Sequence, residues 1–282
     1  MTSQVMDSGQ PIGTVSGMSS VGTRATPASP VGAQLRAWRE RRRLSQLDLS
    51  IQAEISTRHL SFVETGRSRP TPQMILRLTE HLEVPLRERN ALLLAGGYAP
   101  AYPQHGLDEP ELQQVRTALR QVLSGHEPYP ALVFDRWWTM IDANAGIAAL
   151  VAGCAPQLLR PPVNVLRLSL HPDGLAARIG NLAQWRAHLL HQLQNRQAMT
   201  GDARLAELHQ ELLGYPGGLA EPPAANQVVL PLRIGWQDKE LSFFSISATV
   251  GTATDVTVDE LVIESFYPAD ELTAAALNSR PG

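Results

Sequence analysis

Between Val31 and Gly97, signals for helix starts and stops follow one another so closely that only short helices fit. Ser45, Ser56 and Thr71 are each placed where a side-chain oxygen can accept a hydrogen bond from the amides of a first helical turn. Gly66 stands where a helix C-terminus is expected. The spacing therefore predicts a compact unit of five short helices over residues 31–98.

The third of these helices, Ser56 to Thr65, is amphipathic in an informative way. Leu60 and Val63 lie three residues apart and should face the core. Thr57, Arg58 and Ser61 then point outward and offer hydrogen-bond donors and acceptors to a partner.

Charge is divided unevenly along the chain. Residues 31–98 hold eleven arginines and seven acidic residues, a balance of +4, whereas residues 99–282 hold twelve basic and nineteen acidic residues, a balance of -7. A small basic unit beside a large acidic one is typical of a protein in which one domain meets a polyanion and the other does not.

The stretch "LRAWRERRRLSQLDLSIQAEISTRHLSFVETGRSRPT" resembles the DNA-binding domain of the lambda-repressor-like (xenobiotic response element) regulators, and specifically their MmyB-like branch. The resemblance implies a helix-turn-helix whose third helix enters the major groove of double-stranded DNA. It also implies that Arg39 and Glu64 form an internal ion pair. The implied base-edge residues are Thr57, Arg58, Ser61 and Phe62, and the implied phosphate contacts are Gln46, Arg67 and Arg69.

Each assignment in this half has a structural alternative. Phe62 could pack beneath the neighbouring helix, and the run Arg41, Arg42 and Arg43 could be a solvated helix end. A helical bundle that binds only protein, as a non-DNA-binding adaptor, is the alternative for the unit as a whole.

The second half changes its pattern along the chain. Leu112, Val115, Leu119 and Val122 form one side of an amphipathic helix, and "ALVFDRWWTMIDAN" predicts a strand or hairpin before a helix capped by Asn144. The last third alternates apolar and polar residues over at least three segments. An antiparallel sheet is therefore expected, and the whole chain is predicted to be α+β.

The stretches "FDRWWTMIDANAG", "NVLRLSLHPDGLAARIGNLAQWRAHLL" and "FYPAD" again resemble the MmyB-like regulators. The resemblance implies a PAS-like ligand-binding domain whose apolar pocket suits a lipid or fatty-acid-like molecule with a polar handle. The candidate wall residues are Trp137, Met140, Leu166, Trp185, Leu189, Phe243 and Ile246. The candidate handle residues are Asn144, His171 and Arg186.

These pocket residues also have plainer interpretations. Tryptophan and leucine at helical spacing often form ordinary core. Arg186 lies near the apolar stripe of its helix and could pair with a buried carboxylate such as Asp142, and His171 could end a helix above a proline turn.

The sequence does not favour an enzyme or a metal protein. The motifs GxSxG, HExxH, CxxC and the P-loop do not occur, and the single cysteine, Cys154, excludes an internal disulfide and a multi-cysteine metal site. His188 and His191 fall on the polar face of their predicted helix, so no metal and no cofactor is expected.

The predicted organisation has five parts. These are a disordered tail at 1–30, the helix-turn-helix domain at 31–98, a linker at 99–110, the PAS-like domain at 111–276 and a tail at 277–282. We expect a cytoplasmic homodimeric transcription regulator without a membrane segment, since no run reaches about 18 apolar residues. The alternative function keeps DNA binding but gives the second domain only a dimerisation or protein-docking role.

Overall fold

A computed structural model describes residues 30–220 and 229–278 of the chain. Its first domain consists of five short helices, as the sequence predicts. They are α1 (Pro30–Arg41), α2 (Gln46–Gln52), α3 (Thr57–Glu64), α4 (Pro72–His81) and α5 (Leu86–Ala95).

The predicted caps explain where these helices begin. The Ser45 hydroxyl accepts the amide of Asp48, and the Asp48 carboxylate accepts the Ser45 amide in return, which closes a capping box on α2. The Ser56 and Thr71 hydroxyls cap α3 and α4 by accepting the amides of His59 and Met74. Side chains from all five helices meet in one core, in which Leu60, Ile75 and Leu78 are fully buried.

The second domain is built on one five-stranded sheet with helices packed around it. Its strands are β1 (Ala131–Phe134), β2 (Met140–Ala143), β3 (Leu232–Trp236), β4 (Lys239–Thr249) and β5 (Val262–Pro268). The spatial order is β2-β1-β5-β4-β3, and every neighbouring pair is antiparallel. Its helices are α6 (Gln113–Gly125), α7 (Ala145–Leu150), α8 (Val165–Leu170), α9 (Leu182–Thr200), α10 (Ala203–Leu213), α11 (Val256–Asp259) and α12 (Glu271–Asn278).

The two faces of the sheet have different coverings. The inner face, which carries Leu132, Phe134, Phe243 and Phe266, packs against α7 to α10 and α12 in the larger core. On the outer face, α6 covers β1 through a smaller core around Ala131, Val133, Leu119, Leu123 and Leu261. Farther along the outer face, Ile246 of β4 is 52% exposed.

Ion pairs join the two domains where α5 meets α11. Arg87 donates two hydrogen bonds to Glu260, of 2.7 and 2.8 Å. Arg136, which follows β1, donates to Glu88 of α5 at 2.6 Å and to Glu260 at 2.8 Å. The predicted linker segment also contacts the second domain, because His105 Nδ1 lies 2.8 Å from the Asp255 carboxylate.

The described helices extend past two of the predicted domain boundaries. Pro30 already belongs to α1, and Leu277, expected in a terminal tail, is buried within α12. The rest of the two predicted tails, 1–29 and 279–282, lies outside the described residues. No helix of the described part of the chain is long and apolar enough to cross a membrane.

Candidate DNA-binding surface and ligand cavity

A buried ion pair fixes α3 against α1. Arg39 donates to both carboxylate oxygens of Glu64, at 2.6 and 2.9 Å, which confirms the predicted pair. The Gln46 side-chain amide donates to the same carboxylate at 2.7 Å. Glu64 therefore ties α1, α2 and α3 together, and Gln46 is held at the first residue of α2.

The predicted base-reading residues occupy the first two turns of α3. Leu60 and Val63 are fully buried, as predicted, and Arg58 is exposed on the opposite side. Ser61 is half-buried, and the Thr57 hydroxyl lies 2.8 Å from the Ser50 hydroxyl of α2. Thr57 is thus placed at the junction of the two helices, where its hydroxyl hydrogen-bonds within the protein.

Phe62 is half-buried, and two arginine side chains contact its ring. The Arg58 guanidinium lies 5.3 Å from the ring centroid, and that of Arg67 lies 6.0 Å away. Cation–π contacts of this kind orient long arginine side chains on a surface. The Phe62 ring therefore holds the Arg58 and Arg67 side chains next to each other, and this role does not depend on a contact between Phe62 and a base.

Arg69 is held from the other side of the domain. Its guanidinium donates to the Gly96 carbonyl at 2.8 Å and stacks over Tyr98 at 5.1 Å. Its role as a phosphate contact remains a prediction, and so do the roles of the other six DNA-contact candidates.

An apolar cavity lies in the second domain between the inner sheet face and helices α7 to α9. Its volume is about 70 Å³. Four of the seven predicted wall residues line it, namely Met140, Leu166, Trp185 and Leu189. Ser169 and Glu264 are the polar side chains in its lining.

The structure places the other three predicted wall residues elsewhere. Trp137 faces the domain junction, where its indole Nε1 donates to Asp202 at 2.8 Å and its ring lies 5.3 Å from the Arg87 guanidinium. Phe243 is fully buried against Phe266, and Ile246 points to the exposed outer face because residues alternate along β4.

None of the predicted polar handles lines the cavity. The Asn144 side chain hydrogen-bonds to backbone groups. It accepts from the amides of Ala131 and Ile147 and donates to the carbonyls of Leu123 and Tyr129. His171 accepts the Asp173 amide and packs edge-on against Tyr215, which fits the helix-end alternative.

Arg186 is buried, as its position on the apolar stripe predicts, but it meets neither a ligand cavity nor Asp142. Its guanidinium donates to the carbonyls of Leu212, Leu213 and Gly218 at 2.7 to 3.0 Å. The final carbonyls of a helix lack partners within that helix, so Arg186 caps the C-terminus of α10.

Sequence reasoning missed Glu264, Trp138 and Arg196. Glu264 sits on the inner face of β5, and burial raises the pKa of its carboxyl group, an effect that a hydrogen bond from Ser245 opposes. A charged residue at an inward position of a strand was the available signal. The contact between Trp138 and Arg196 could not be predicted from a local sequence pattern, since the two residues lie 58 positions apart and meet only in the folded chain.

The described residues offer little for catalysis or a metal. Cys154 is buried near Arg178, and burial raises the pKa of its thiol. Within residues 30–220 and 229–278, His105, Glu109 and Glu111 bring three possible ligand atoms within 4.8 Å of one another. Glu109 and Glu111 are exposed, and His105 already contacts Asp255.

Two solved structures are remotely similar to this chain. The clp gene regulator ClgR from Corynebacterium glutamicum is 19% identical, the match covering 36% of this chain and 96% of that one, with a TM-score of 0.23. An RNA-binding light-oxygen-voltage receptor is 15% identical over 88% of this chain and 62% of that one, with a TM-score of 0.24. These scores are too low to indicate a shared overall fold.

Sequence comparisons identify both domains. Residues 30–92 match a helix-turn-helix domain model, and residues 115–279 match the ligand-binding domain of MmyB-like transcription regulators. The uncharacterised HTH-type transcriptional regulator RghRB of Bacillus subtilis (strain 168) is 32% identical over 112 residues, which are 39% of this chain and 78% of that protein. The chain therefore belongs to the MmyB-like transcription regulators, a family of DNA-binding proteins with a ligand-binding domain, and not to an enzyme family.

Proposed function

We propose that this regulator reads a specific DNA sequence as a cytoplasmic homodimer and that its second domain, PAS-like in fold, senses an apolar, lipid or fatty-acid-like ligand. The observation that carries the ligand proposal is the cavity on the inner sheet face, whose lining is apolar apart from Ser169 and Glu264. An apolar cavity with few polar groups is the usual form of a small-molecule site.

The size of the cavity adds a requirement. Ligand sites commonly enclose about 300–1,000 Å³, whereas this cavity holds about 70 Å³. A fatty-acid chain therefore enters only if side chains around the cavity move. Such an opening is the kind of change through which a ligand can shift a protein between two states.

For DNA, we assign the reading of base edges to Arg58 with Thr57, Ser61 and Phe62. We assign phosphate contacts, which fix the register of the domain on the duplex, to Gln46, Arg67 and Arg69. Arg58 is exposed at the start of α3, and arginine pairs bidentately with guanine in the major groove. Phosphate contacts fix orientation without reading sequence.

A homodimer would place two copies of α3 about 34 Å apart on a near-palindromic operator. The outer sheet face offers an apolar surface for such pairing. Phe244 and Tyr267 stack there at 5.5 Å, and Ile246 of β4 is 52% exposed.

The small cavity also supports a second candidate function. In that alternative the second domain is a ligand-free dimerisation or protein-docking module, and the cavity is a packing defect of the core. Both functions predict the same DNA binding in the absence of ligand, and they differ in whether the second domain binds a ligand that changes it.

The DNA assignment is tested with Arg58→Ala. After operator selection on the full chain, we expect a loss of about 1–3 kcal/mol at one base pair and relaxed specificity there. Arg160→Ala, which removes an exposed arginine of the second domain, serves as the charge-matched control. Unchanged discrimination at every base pair in Arg58→Ala would contradict the assignment of Arg58.

The ligand assignment is tested by native mass spectrometry of protein purified from cells, followed by denaturing extraction. A stoichiometric apolar acid released on unfolding would support the sensing function. A clean dimer that carries no adduct and takes up no member of a fatty-acid panel would favour the ligand-free alternative.

A further inference from the structure

A second concavity lies between the two domains, beside the apolar cavity. It encloses about 420 Å³, a volume typical of ligand sites. The second domain contributes Phe134, Trp138, Arg196 and Val262 to its wall, and the DNA-binding domain contributes Pro85. We refer to this space as the interdomain cleft.

The cleft contains one cation that is not committed to an ion pair within the described residues. The Arg196 guanidinium stacks on Trp138 at 4.1 Å, and its one polar contact is a long hydrogen bond of 3.5 Å to the Arg136 carbonyl. Burial lowers the pKa of this guanidinium and Arg136 acts in the same direction, whereas the carboxylates of Asp135 and Glu264 oppose the shift. Because neither carboxylate forms an ion pair with Arg196 within the described residues, the partly dehydrated guanidinium can still accept an anion as a direct partner.

The other charged groups of the cleft already have partners. Arg136 pairs with Glu88 and Glu260, and Glu260 also accepts from Arg87. The Asp259 carboxylate accepts the backbone amide of Leu86 at 3.2 Å. An incoming anion would therefore find its unpaired counter-charge at Arg196.

Trp138 separates the cleft from the apolar cavity, since it lines both. The two spaces continue along one strand: Val262 of β5 faces the cleft, while Glu264 and Phe266, at successive inward positions, face the cavity. Trp138 also has a φ of +59°, which is an unfavourable backbone conformation for a bulky residue. Strained residues of this kind are concentrated at ligand clamps and switches.

We propose that the cleft and the cavity are two halves of one site for an amphipathic anion, in which Arg196 binds the carboxylate or phosphate head group and Trp138 moves to admit the apolar chain. This inference rests on the proposed ligand-sensing function and specifies its polar end. Planar guanidinium groups bind carboxylate and phosphate through paired hydrogen bonds. Because Pro85 and Arg136 border the cleft, a head group bound there would contact the junction with the DNA-binding domain.

The test compares three probes with the same twelve-carbon chain: dodecanoate, dodecyl phosphate and dodecanol. Isothermal titration calorimetry on the full chain should show at least about tenfold tighter binding of an anion than of the alcohol, as expected for a charge-assisted contact. Whichever anion binds more tightly identifies the head-group chemistry.

Arg196→Gln should remove the preference for the anion while the alcohol still binds. Arg196→Lys, which keeps the charge but loses the planar fork, should retain part of it. Arg160→Gln should leave all three affinities unchanged. Thermal unfolding of each variant, followed by circular dichroism, establishes that the compared proteins are folded.

Two outcomes would overturn the inference in distinguishable ways. Equal binding of anion and alcohol by the unmodified chain, or an undiminished preference in Arg196→Gln, would exclude the Arg196 head-group site and leave the ligand-sensing function in place. Failure of the unmodified chain to bind any probe would remove the proposed ligand class and this inference with it.

Discussion

At the scale of single residues, Glu64 determines the orientation of α3, the helix to which we assign base reading. Its side chain is 1% exposed, and it accepts hydrogen bonds from Arg39 of α1 and Gln46 of α2. A buried carboxylate is tolerated only when such partners compensate for lost hydration. The orientation of α3 thus depends on a polar contact in an otherwise apolar core.

Glu64→Ala should destabilise the DNA-binding domain by about 3–5 kcal/mol, because it leaves the Arg39 charge buried without its partner. Urea denaturation monitored by circular dichroism measures the change in the free energy of unfolding. The control, Arg36→Ala, breaks the exposed pair with Glu40 and should cost less than about 1 kcal/mol. A loss for Glu64→Ala no larger than that of the control would show that the buried pair does not hold α3.

The pair can also be replaced as a whole. Arg39→Met combined with Glu64→Leu should recover most of the lost stability, since no charge is then left buried. DNA affinity should stay reduced in this double variant, because Gln46 loses the acceptor that positions it. Recovery of both properties together would contradict a positioning role for Glu64.

At the scale of elements, the β1–β2 hairpin is tied to its neighbours by the residue that ends it. Asn144 caps α7 and also bonds to the backbone of β1, of the turn after α6, and of α6 itself through Leu123. One side chain therefore joins a strand and two helices at the edge of the ligand-binding domain.

Asn144→Ala should lower the stability of the second domain by about 2–4 kcal/mol, since buried backbone donors and acceptors lose their partners. Thermal unfolding of the full chain provides the measurement. Asn195→Ala, at an exposed position of α9, is the matched control and should change stability by less than about 0.5 kcal/mol. Comparable midpoints for the two variants would disprove the structural role of Asn144.

The same elements show what a sequence can predict here. Caps at Ser45, Ser56, Thr71 and Asn144 were predictable because a cap and its amide lie within three residues of each other. The burial of Arg186 also followed from helical spacing. Its partners did not, because the carbonyls of Leu212 and Leu213 lie on another helix, and neither did the placement of Trp137 at the domain junction. Contacts of this kind depend on tertiary packing, which no local pattern encodes.

At the scale of the whole molecule, Arg136 is the residue through which the two domains share charge. Its side chain is 6% exposed and pairs with Glu88 of α5, with Glu260 after α11, and more distantly with Asp202 at 3.6 Å. The guanidinium is thus surrounded by acidic groups from both domains, and those groups outweigh burial and raise its pKa. A ligand that moved Arg136 would disturb the contacts that hold α5 in place.

Arg136→Leu should uncouple the domains. Glu88 would be left partly buried without its cation, at a cost of about 3–5 kcal/mol, and differential scanning calorimetry should then show a second transition or a lowered first one. Limited proteolysis should cut faster within linker residues 99–110, because opening the junction exposes the segment that His105 and Tyr102 now hold against the domains. Arg167→Leu, which removes an exposed pair with Glu211 inside the second domain, should leave both readouts nearly unchanged.

Adding Glu88→Leu to Arg136→Leu removes the unpaired buried carboxylate and should restore most of the stability but not the ion pairing between the domains. Coupling by Arg136 therefore predicts that DNA affinity in this double variant no longer responds to ligand, and a normal ligand response would contradict it.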